Sequence, residues 1–191
     1  MPRPSLKAQR QDAILDAVGH CIVQYGVGGT TLEKLAETAG MSRSLLRHNI
    51  GNRDAILAAF LDRFFSESER EVEAMLAMLP EHNAMPVLLD MLFDGEGNQT
   101  TLVALSLTAA AASDEPIRRR LSQWNQAFAD TLTELLQSAY PKQTRQAVEP
   151  VAAGVMGIYF NAESLTALHG MQALRRASKQ AAHQLIQTLE S

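Results

Sequence analysis

The arrangement of apolar and polar positions between residues 31 and 50 predicts two short helices joined by a tight turn. The first helix has apolar residues at the i, i+3, i+4 and i+7 positions of one face, namely Leu32, Leu35, Ala36 and Ala39. Gly40 follows, where a helix ends in the left-handed conformation that a residue without a Cβ adopts easily. Ser42 is placed to cap a second helix, whose buried side carries Leu45 and Leu46.

The opposite side of this second helix is cationic and rich in hydrogen-bonding groups. It carries Arg43, Ser44, Arg47 and His48, with no acidic residue among them. Two short helices around a glycine-containing turn are typical of the helix-turn-helix, whose second helix enters the major groove of DNA. The segment alone leaves an alternative open, which is an ordinary helical hairpin with a solvated charged face.

Helical periodicity covers most of the remaining chain. It predicts a first helix from Ser5 to Tyr25, ended by Gly26, and a long helix from Asn52 to about Leu79. Further helices are predicted from Asn83 onward and over about 99–112, 115–139, 143–169 and 172–189. No segment alternates apolar and polar residues for long enough to form a strand, and Ala and Leu outnumber Val and Ile. The sequence therefore predicts an all-α fold.

Charge is distributed unevenly along the chain. The 191 residues are 46% apolar, which is enough for a substantial core, and their net charge is −4. Residues 1–53 contain seven Lys or Arg and four Asp or Glu, a net +3, whereas residues 54–191 contain ten and seventeen, a net −7. A basic N-terminal segment on an acidic remainder favours contact with nucleic acid at one end only.

Residues 5–57 resemble the DNA-binding domain of the TetR family of bacterial transcriptional regulators. The matching motif residues are Thr30, Thr31, Leu35, Ala36, Ala39, Gly40, Met41 and Ser42, followed by Gly51, Asn52, Arg53 and Asp54 after the second helix. Three positions depart from the family pattern. Arg47 stands where the family usually has a phosphate-contacting Tyr, Asn49 where it has His, and Ile50 where it has Phe.

The resemblance implies a three-helix DNA-binding domain over residues 1–51 and a larger helical domain for ligand binding and dimerisation over residues 52–191. It implies a homodimeric transcriptional regulator, a repressor by expectation, that binds a palindromic operator in double-stranded DNA and responds to a small-molecule effector. Arg43, Ser44 and His48 are the residues predicted to contact base edges, and Thr31, Arg47 and Arg53 those predicted to contact phosphates. The departures leave a different class open, a helical dimeric protein-interaction module that has lost specific DNA recognition.

Such regulators hold an effector within the helical body. The candidate pocket residues are Met75, Met91, Trp124, Phe128, Met156, Tyr159, Phe160 and Asn161, although Met and aromatic residues at helical spacing are also typical of an ordinary core. Asn161 and Glu163 interrupt an apolar helix, and if buried they need polar partners. The family pairs its last two long helices across a two-fold axis, so Ala153, Gly154 and Gly157 are candidate dimer-interface residues. Packing within one chain is the alternative.

The sequence contains no pattern that indicates catalysis or metal binding. Its five His are scattered without ligand spacing, and neither a Gly-x-Ser-x-Gly nor a paired-carboxylate motif occurs. We therefore predict no enzymatic activity, no metal and no cofactor. The one cysteine, Cys21, is predicted to be a buried side chain, with a redox role as the minor alternative. No apolar run of roughly 18 residues and no signal peptide occur, so we expect a cytoplasmic protein with no membrane partner.

Overall fold

The computed structural model describes residues 5–94 and 99–190, and this part of the chain is helical without a strand. The predicted all-α class is confirmed. Two short 3-10 turns, Leu165–Ala167 and Thr188–Glu190, accompany the helices. The α-helices are α1 Leu6–Gly29, α2 Leu32–Thr38, α3 Arg43–Asn49, α4 Arg53–Ala77, α5 Ala84–Phe93, α6 Gln99–Ala111, α7 Glu115–Ala139, α8 Arg145–Ser164 and α9 Gln172–Gln187.

Side-chain caps fix several helix starts where the sequence predicts them. Asn52 accepts a hydrogen bond from the Ala55 N–H at 2.9 Å and begins α4. Asp114 accepts one from the Ile117 N–H at 3.1 Å at the start of α7, whose bounds match the prediction. Gly26, at φ +71° and ψ 170°, leaves the helical conformation, so the regular helix from Leu6 ends there as predicted, and a short separate helical turn completes α1 to Gly29.

The described residues form two compact units. One comprises the residues up to Arg70 together with Val103–Arg118, and the other comprises Glu71–Leu102 and the residues from Arg119 onward. Helices α4, α6 and α7 contribute residues to both units. The division expected from the resemblance, 1–51 and 52–191, concerns function and stays a prediction.

The first unit is organised around α1, which buries Ile14, Val18, Cys21 and Ile22 completely. The neighbouring helices contribute Leu35, Leu46 and Ile56, each at most 1% exposed. Arg63 of α4 donates a hydrogen bond to Asp16 of α1 at 2.7 Å, which ties the two helices together at the surface. The Cys21 thiol is buried and lies 3.3 Å from the Thr38 hydroxyl, so its predicted burial is confirmed.

The second unit has a core made mainly by α5, α7, α8 and α9. Its fully buried side chains are Leu88, Leu89, Leu132, Leu136, Val148, Ala152, Val155, Ala162 and Ala182. Helices α8 and α9 approach closely at Gly154, where an added Cβ would lie only 2.5 Å from a terminal methyl of Leu185. This contact within one chain accounts for the small residue at position 154. Ala153 and Gly157 are exposed instead.

Two cations of α9 form ion pairs that attach this helix to the rest of the second unit. Arg175 of α9 donates a hydrogen bond to the buried carboxylate of Glu163 at 2.9 Å, and Glu163 is only 4% exposed there. One turn further on, Lys179 lies 2.8 Å from Asp90 and 2.6 Å from Asp94. Hydrogen bonds to these two carboxylates raise the pKa of Lys179 above its usual 10.5. Glu163, predicted to need a partner if buried, has one in Arg175.

The buried pair predicts a large loss of stability when its cation is removed. Arg175→Met leaves Glu163 buried without its Arg175 partner, and we expect the free energy of unfolding to fall by about 3–5 kcal/mol. The matched control is Arg145→Met, which breaks the exposed Arg145–Glu149 pair and should cost less than about 1 kcal/mol. Urea unfolding of both variants measures the difference, and equal losses would contradict the interpretation of Glu163.

Candidate functional site

The segment from Thr31 to Asn49 forms the predicted helix-turn-helix. The Thr31 hydroxyl accepts a hydrogen bond from the Lys34 N–H at 3.3 Å and caps α2. Gly40 has φ +62°, the left-handed conformation expected at this turn. Ser42 caps α3 by accepting a hydrogen bond from the Leu45 N–H at 3.2 Å. Thr30, the residue before the Thr31 cap, donates its hydroxyl proton to the Gly26 carbonyl at 2.8 Å.

Helix α3 separates a buried side from an exposed cationic face. Leu46 is completely buried, whereas Arg43, Ser44, Arg47 and His48 are all exposed. We call these four residues the α3 face. Arg47 and His48 lie in the last turn of the helix, where a positive charge interacts favourably with the helix dipole. The α3 face therefore presents two guanidinium groups, an imidazole and a hydroxyl to solvent on one short helix.

Asn49, one of the departures from the family pattern, points into the domain. It is 8% exposed, and its side-chain amide donates to the Leu45 carbonyl at 2.8 Å. Its backbone carbonyl accepts a hydrogen bond from the Gln11 side chain of α1 at 3.1 Å. Asn49 thus helps to attach the C-terminal end of α3 to α1. The sequence carries no local sign of this, because Gln11 lies 38 residues away.

Arg53 has a structural position within the first unit. Its guanidinium donates hydrogen bonds to the Thr30 carbonyl at 2.7 Å and the Val27 carbonyl at 2.6 Å. It also lies 3.3 Å from Asp54. Arg53, predicted from the resemblance to contact phosphate, thereby joins the start of α4 to the loop before α2. Its predicted phosphate contact stays a prediction.

Lys34 is a cation near Thr31 that no sequence motif indicates. Its ammonium group lies 3.7 Å from the centre of the Tyr25 ring, within the range of a cation–π interaction. Tyr25 remains 40% exposed, although the helical pattern of α1 places it on the apolar face. Lys34 partly covers this ring, so the pair attaches α2 to the C-terminal end of α1.

The aromatic residues predicted to line a pocket do come together in the second unit. The Phe160 ring centre lies 5.7 Å from that of Trp124, 6.0 Å from that of Phe128 and 5.4 Å from that of Tyr159. These separations are those of rings in contact, so the cluster fills space as a core does. Burial raises the pKa of Tyr159 above its usual 10.0, opposed in part by a side-chain hydrogen bond with Thr101.

The other residues predicted to line the pocket differ from one another in burial. Met75 and Met156 are partly buried against it, and Met91 is half-buried. Asn161 is exposed, so burial does not require a partner for it. The predicted effector site at these residues stays a prediction.

A cavity of about 840 Å³ opens elsewhere in the second unit. We call it the α4–α5 cavity, because the loop between these helices forms one wall. None of the predicted pocket residues lines it. The lining residues are Leu76, Leu79, Pro80, Glu81, His82, Asn83, Ala84, Met85, Pro86, Leu89, Leu135, Ser138, Ala139, Tyr140, Pro141, His183, Ile186, Gln187 and Glu190.

Across residues 5–94 and 99–190, no group of three or more His, Cys, Asp or Glu side chains is placed to hold a metal ion. No helix in this part of the chain is both long and apolar enough to cross a membrane.

Curated proteins similar in sequence are regulators of transcription. The HTH-type transcriptional repressor AcnR of Corynebacterium diphtheriae is 24% identical over 130 residues, which cover 68% of this chain and 65% of AcnR. The HTH-type transcriptional repressor Rv1474c of Mycobacterium tuberculosis is 25% identical over 154 residues, or 81% of this chain and 78% of that repressor. No protein-family model matches the chain.

Solved structures share the fold over nearly the whole chain. SCO4454, a TetR-family transcriptional regulator from Streptomyces coelicolor, has a TM-score of 0.80 at 15% identity, covering 96% of this chain and 97% of its own. A protein from Saccharomonospora viridis, solved in complex with choline, has a TM-score of 0.75 at 13% identity, covering 94% of this chain and 96% of its own.

These likenesses and the capped α2–turn–α3 segment define a helix-turn-helix protein. The resemblance to the TetR family is confirmed, since the chain has the fold of that family and its curated relatives are helix-turn-helix regulators.

The position of Arg53 predicts a structural effect when it is replaced. Arg53→Ala loses two charge-assisted hydrogen bonds to carbonyls, and we expect the free energy of unfolding to fall by about 1.5–3 kcal/mol. Arg43→Ala is the matched control, since Arg43 is exposed, and should change stability by less than about 0.5 kcal/mol. Chemical unfolding measures both. If Arg53→Ala were as stable as Arg43→Ala, the structural role would be wrong.

Proposed function

We propose that the chain is a homodimeric, ligand-responsive transcriptional repressor that recognises a palindromic operator through α3. The observation that carries the proposal is the α3 face, four exposed polar residues held on a helix whose other side is anchored by Leu46. The curated relatives named as repressors support regulation of transcription. The separation of charge supports it as well, because the N-terminal region is basic within an acidic chain.

Each residue of the α3 face suits a particular kind of contact. Arg43 can donate two parallel hydrogen bonds to a guanine edge, while Ser44 and His48 can donate or accept at neighbouring bases. Arg47 lies one turn further along and replaces the family's phosphate-contacting Tyr, with a full positive charge in place of a phenol. Thr31 is exposed at the start of α2 and is proposed as a second phosphate contact.

A homodimer supplies the two recognition helices that a palindrome requires. Half-sites in such operators lie about 34–36 Å apart, one turn of DNA, or at a related spacing that fits successive grooves. Ala153 and Gly157 are four residues apart on α8 and therefore share a face, and both are exposed within one chain. Small exposed residues in this pattern allow a helix of a second copy to approach closely. They support an isologous contact across a two-fold axis.

Regulation by a ligand requires two conformations that differ in DNA affinity. An effector that binds the non-operator conformation more tightly shifts the population and releases the DNA. One protein of the same fold holds choline, which supports a small organic molecule as the effector class for such a body. The difference between the effector's affinities for the two conformations sets the size of the response. An effector that binds both conformations equally does not change their populations.

Selection of binding sites from random duplex DNA tests the proposal directly. The purified full chain is first shown to be folded and dimeric by circular dichroism and light scattering. Enrichment of a palindromic sequence, with affinity that falls steeply as salt rises, supports operator recognition. No enrichment above background from this folded dimer would contradict it and favour the protein-interaction module.

Replacement of Arg47 and Arg43 separates phosphate contact from base recognition. Arg47→Ala should weaken binding to all sequences alike and lower the slope of log affinity against log salt by about one unit, whereas Arg43→Ala should relax preference at one base pair at a cost of about 1–3 kcal/mol. Arg119→Ala is the control, because it removes one exposed positive charge from the second unit. An unchanged slope in Arg47→Ala would remove its phosphate assignment.

A further inference from the structure

We infer that the α4–α5 cavity binds an organic cation that carries an apolar body. The cavity lies entirely within the second unit and does not include the residues that the family resemblance selects as a pocket. Its volume of about 840 Å³ lies within the usual range of roughly 300–1,000 Å³ for small-molecule sites. A bare metal ion or an inorganic ion would leave most of this space empty, so the volume favours an organic molecule.

The floor of the cavity is apolar and belongs to the core of the unit. Leu89 is completely buried, Ile186 is 4% exposed and Met85 is 6% exposed, and all three line the cavity. Leu76, Leu79 and Leu135 continue this surface from α4, the segment after it and α7. Except for Leu76, these side chains belong to one core or pack against it, so the floor has a fixed shape, and an apolar ligand body gains affinity by leaving water there.

The mouth of the cavity carries negative charge. Glu81 and Glu190 are among its lining residues, and the basic residues among those that the structure describes there are His82 and His183, with no Lys or Arg. The pKa of the Tyr140 phenol is raised above the usual 10.0, first by burial and then by the nearby negative charge of Glu190. A ligand ammonium or amidinium group placed beside these carboxylates would be stabilised, whereas a carboxylate would be repelled.

The wall that carries Glu81 is constrained by the backbone on both sides. Pro80 precedes it and Pro86 follows within the first turn of α5. Between them Asn83 adopts φ +63°, the left-handed conformation that asparagine tolerates better than most residues. A loop with few accessible backbone conformations loses little entropy when a ligand binds, which favours a preformed site.

Two probes of equal length and opposite charge test the inference. Isothermal titration calorimetry of the folded full chain is carried out with octylammonium and with octanoate, in the absence of DNA and below the concentrations at which they aggregate. We expect one saturable site per chain for octylammonium and an affinity for octanoate weaker by about tenfold or more, since one charge is attracted and the other repelled. Equal affinities, or no saturable binding of octylammonium, would overturn the inference.

Variants locate the binding in this cavity. Glu81→Gln with Glu190→Gln removes both negative charges while keeping side-chain size, and should weaken octylammonium by roughly three- to tenfold with little effect on octanoate or a gain for it. Glu134→Gln is the matched control, because Glu134 is an exposed acid on α7 that does not line the cavity. Equal weakening by the control and the double variant would overturn the assignment.

A variant that fills part of the cavity tests whether the apolar body of the ligand binds there. Ala139 lines the cavity and is exposed, so Ala139→Trp adds volume at the mouth without replacing a core side chain. We expect octylammonium binding to fall by at least about tenfold, since the space for its alkyl chain is lost. Unchanged binding in this variant, with its fold verified by circular dichroism, would contradict the site.

The inference names the class of effector and in that respect rests on the proposed function. The experiment that tests it does not depend on that function. Calorimetry without DNA measures the cavity, and selection from random DNA measures operator recognition. Octylammonium binding with the expected variant effects supports the cavity even if no operator is selected. Selection of an operator by a chain that does not bind octylammonium overturns the cavity assignment and leaves the regulator intact.

Discussion

The burial of Leu46 against the first unit is the interaction on which the position of the α3 face depends. Helix α3 has seven residues, and an isolated helix of that length does not persist in water. The entropy lost in nucleating the helix exceeds the stabilisation from so few hydrogen bonds. Its conformation therefore comes from packing, from the Ser42 cap and from the attachment of Asn49 to Gln11. The α3 face keeps its arrangement only because the opposite side of the helix is fixed.

Residues whose role is set by near neighbours could be predicted from the sequence. Gly40, Ser42 and Asn52 act within four residues of their own positions, and each does what local helix chemistry predicts. Arg53 and Asn49 act over longer separations, 23 and 26 residues for the carbonyls that Arg53 binds and 38 for the Gln11 contact of Asn49. The motif position of Arg53 is the same whether its side chain binds backbone carbonyls or a phosphate. The motif alone therefore could not reveal these contacts.

The predicted effector pocket illustrates a second limit of sequence-based prediction. Aromatic and Met residues at helical spacing indicate where apolar volume lies, but the volume can be occupied by the side chains themselves, as in the cluster around Phe160. Empty volume arises instead where a loop, a helix end and a C-terminal segment do not fill the space between them. At the α4–α5 cavity these are the segment around Asn83, the end of α7 and the end of α9, which lie far apart in sequence.

The close contact between Gly154 and Leu185 constrains how this sequence can diverge. A single methyl group added at position 154 would come within 2.5 Å of a Leu185 methyl, so the leucine must shift or be replaced by a shorter residue. The two positions are therefore not independent: a larger residue at 154 requires either a different Leu185 side-chain conformation or a shorter residue at 185. In descendants of this chain we expect larger residues at 154 to occur together with such a change at 185.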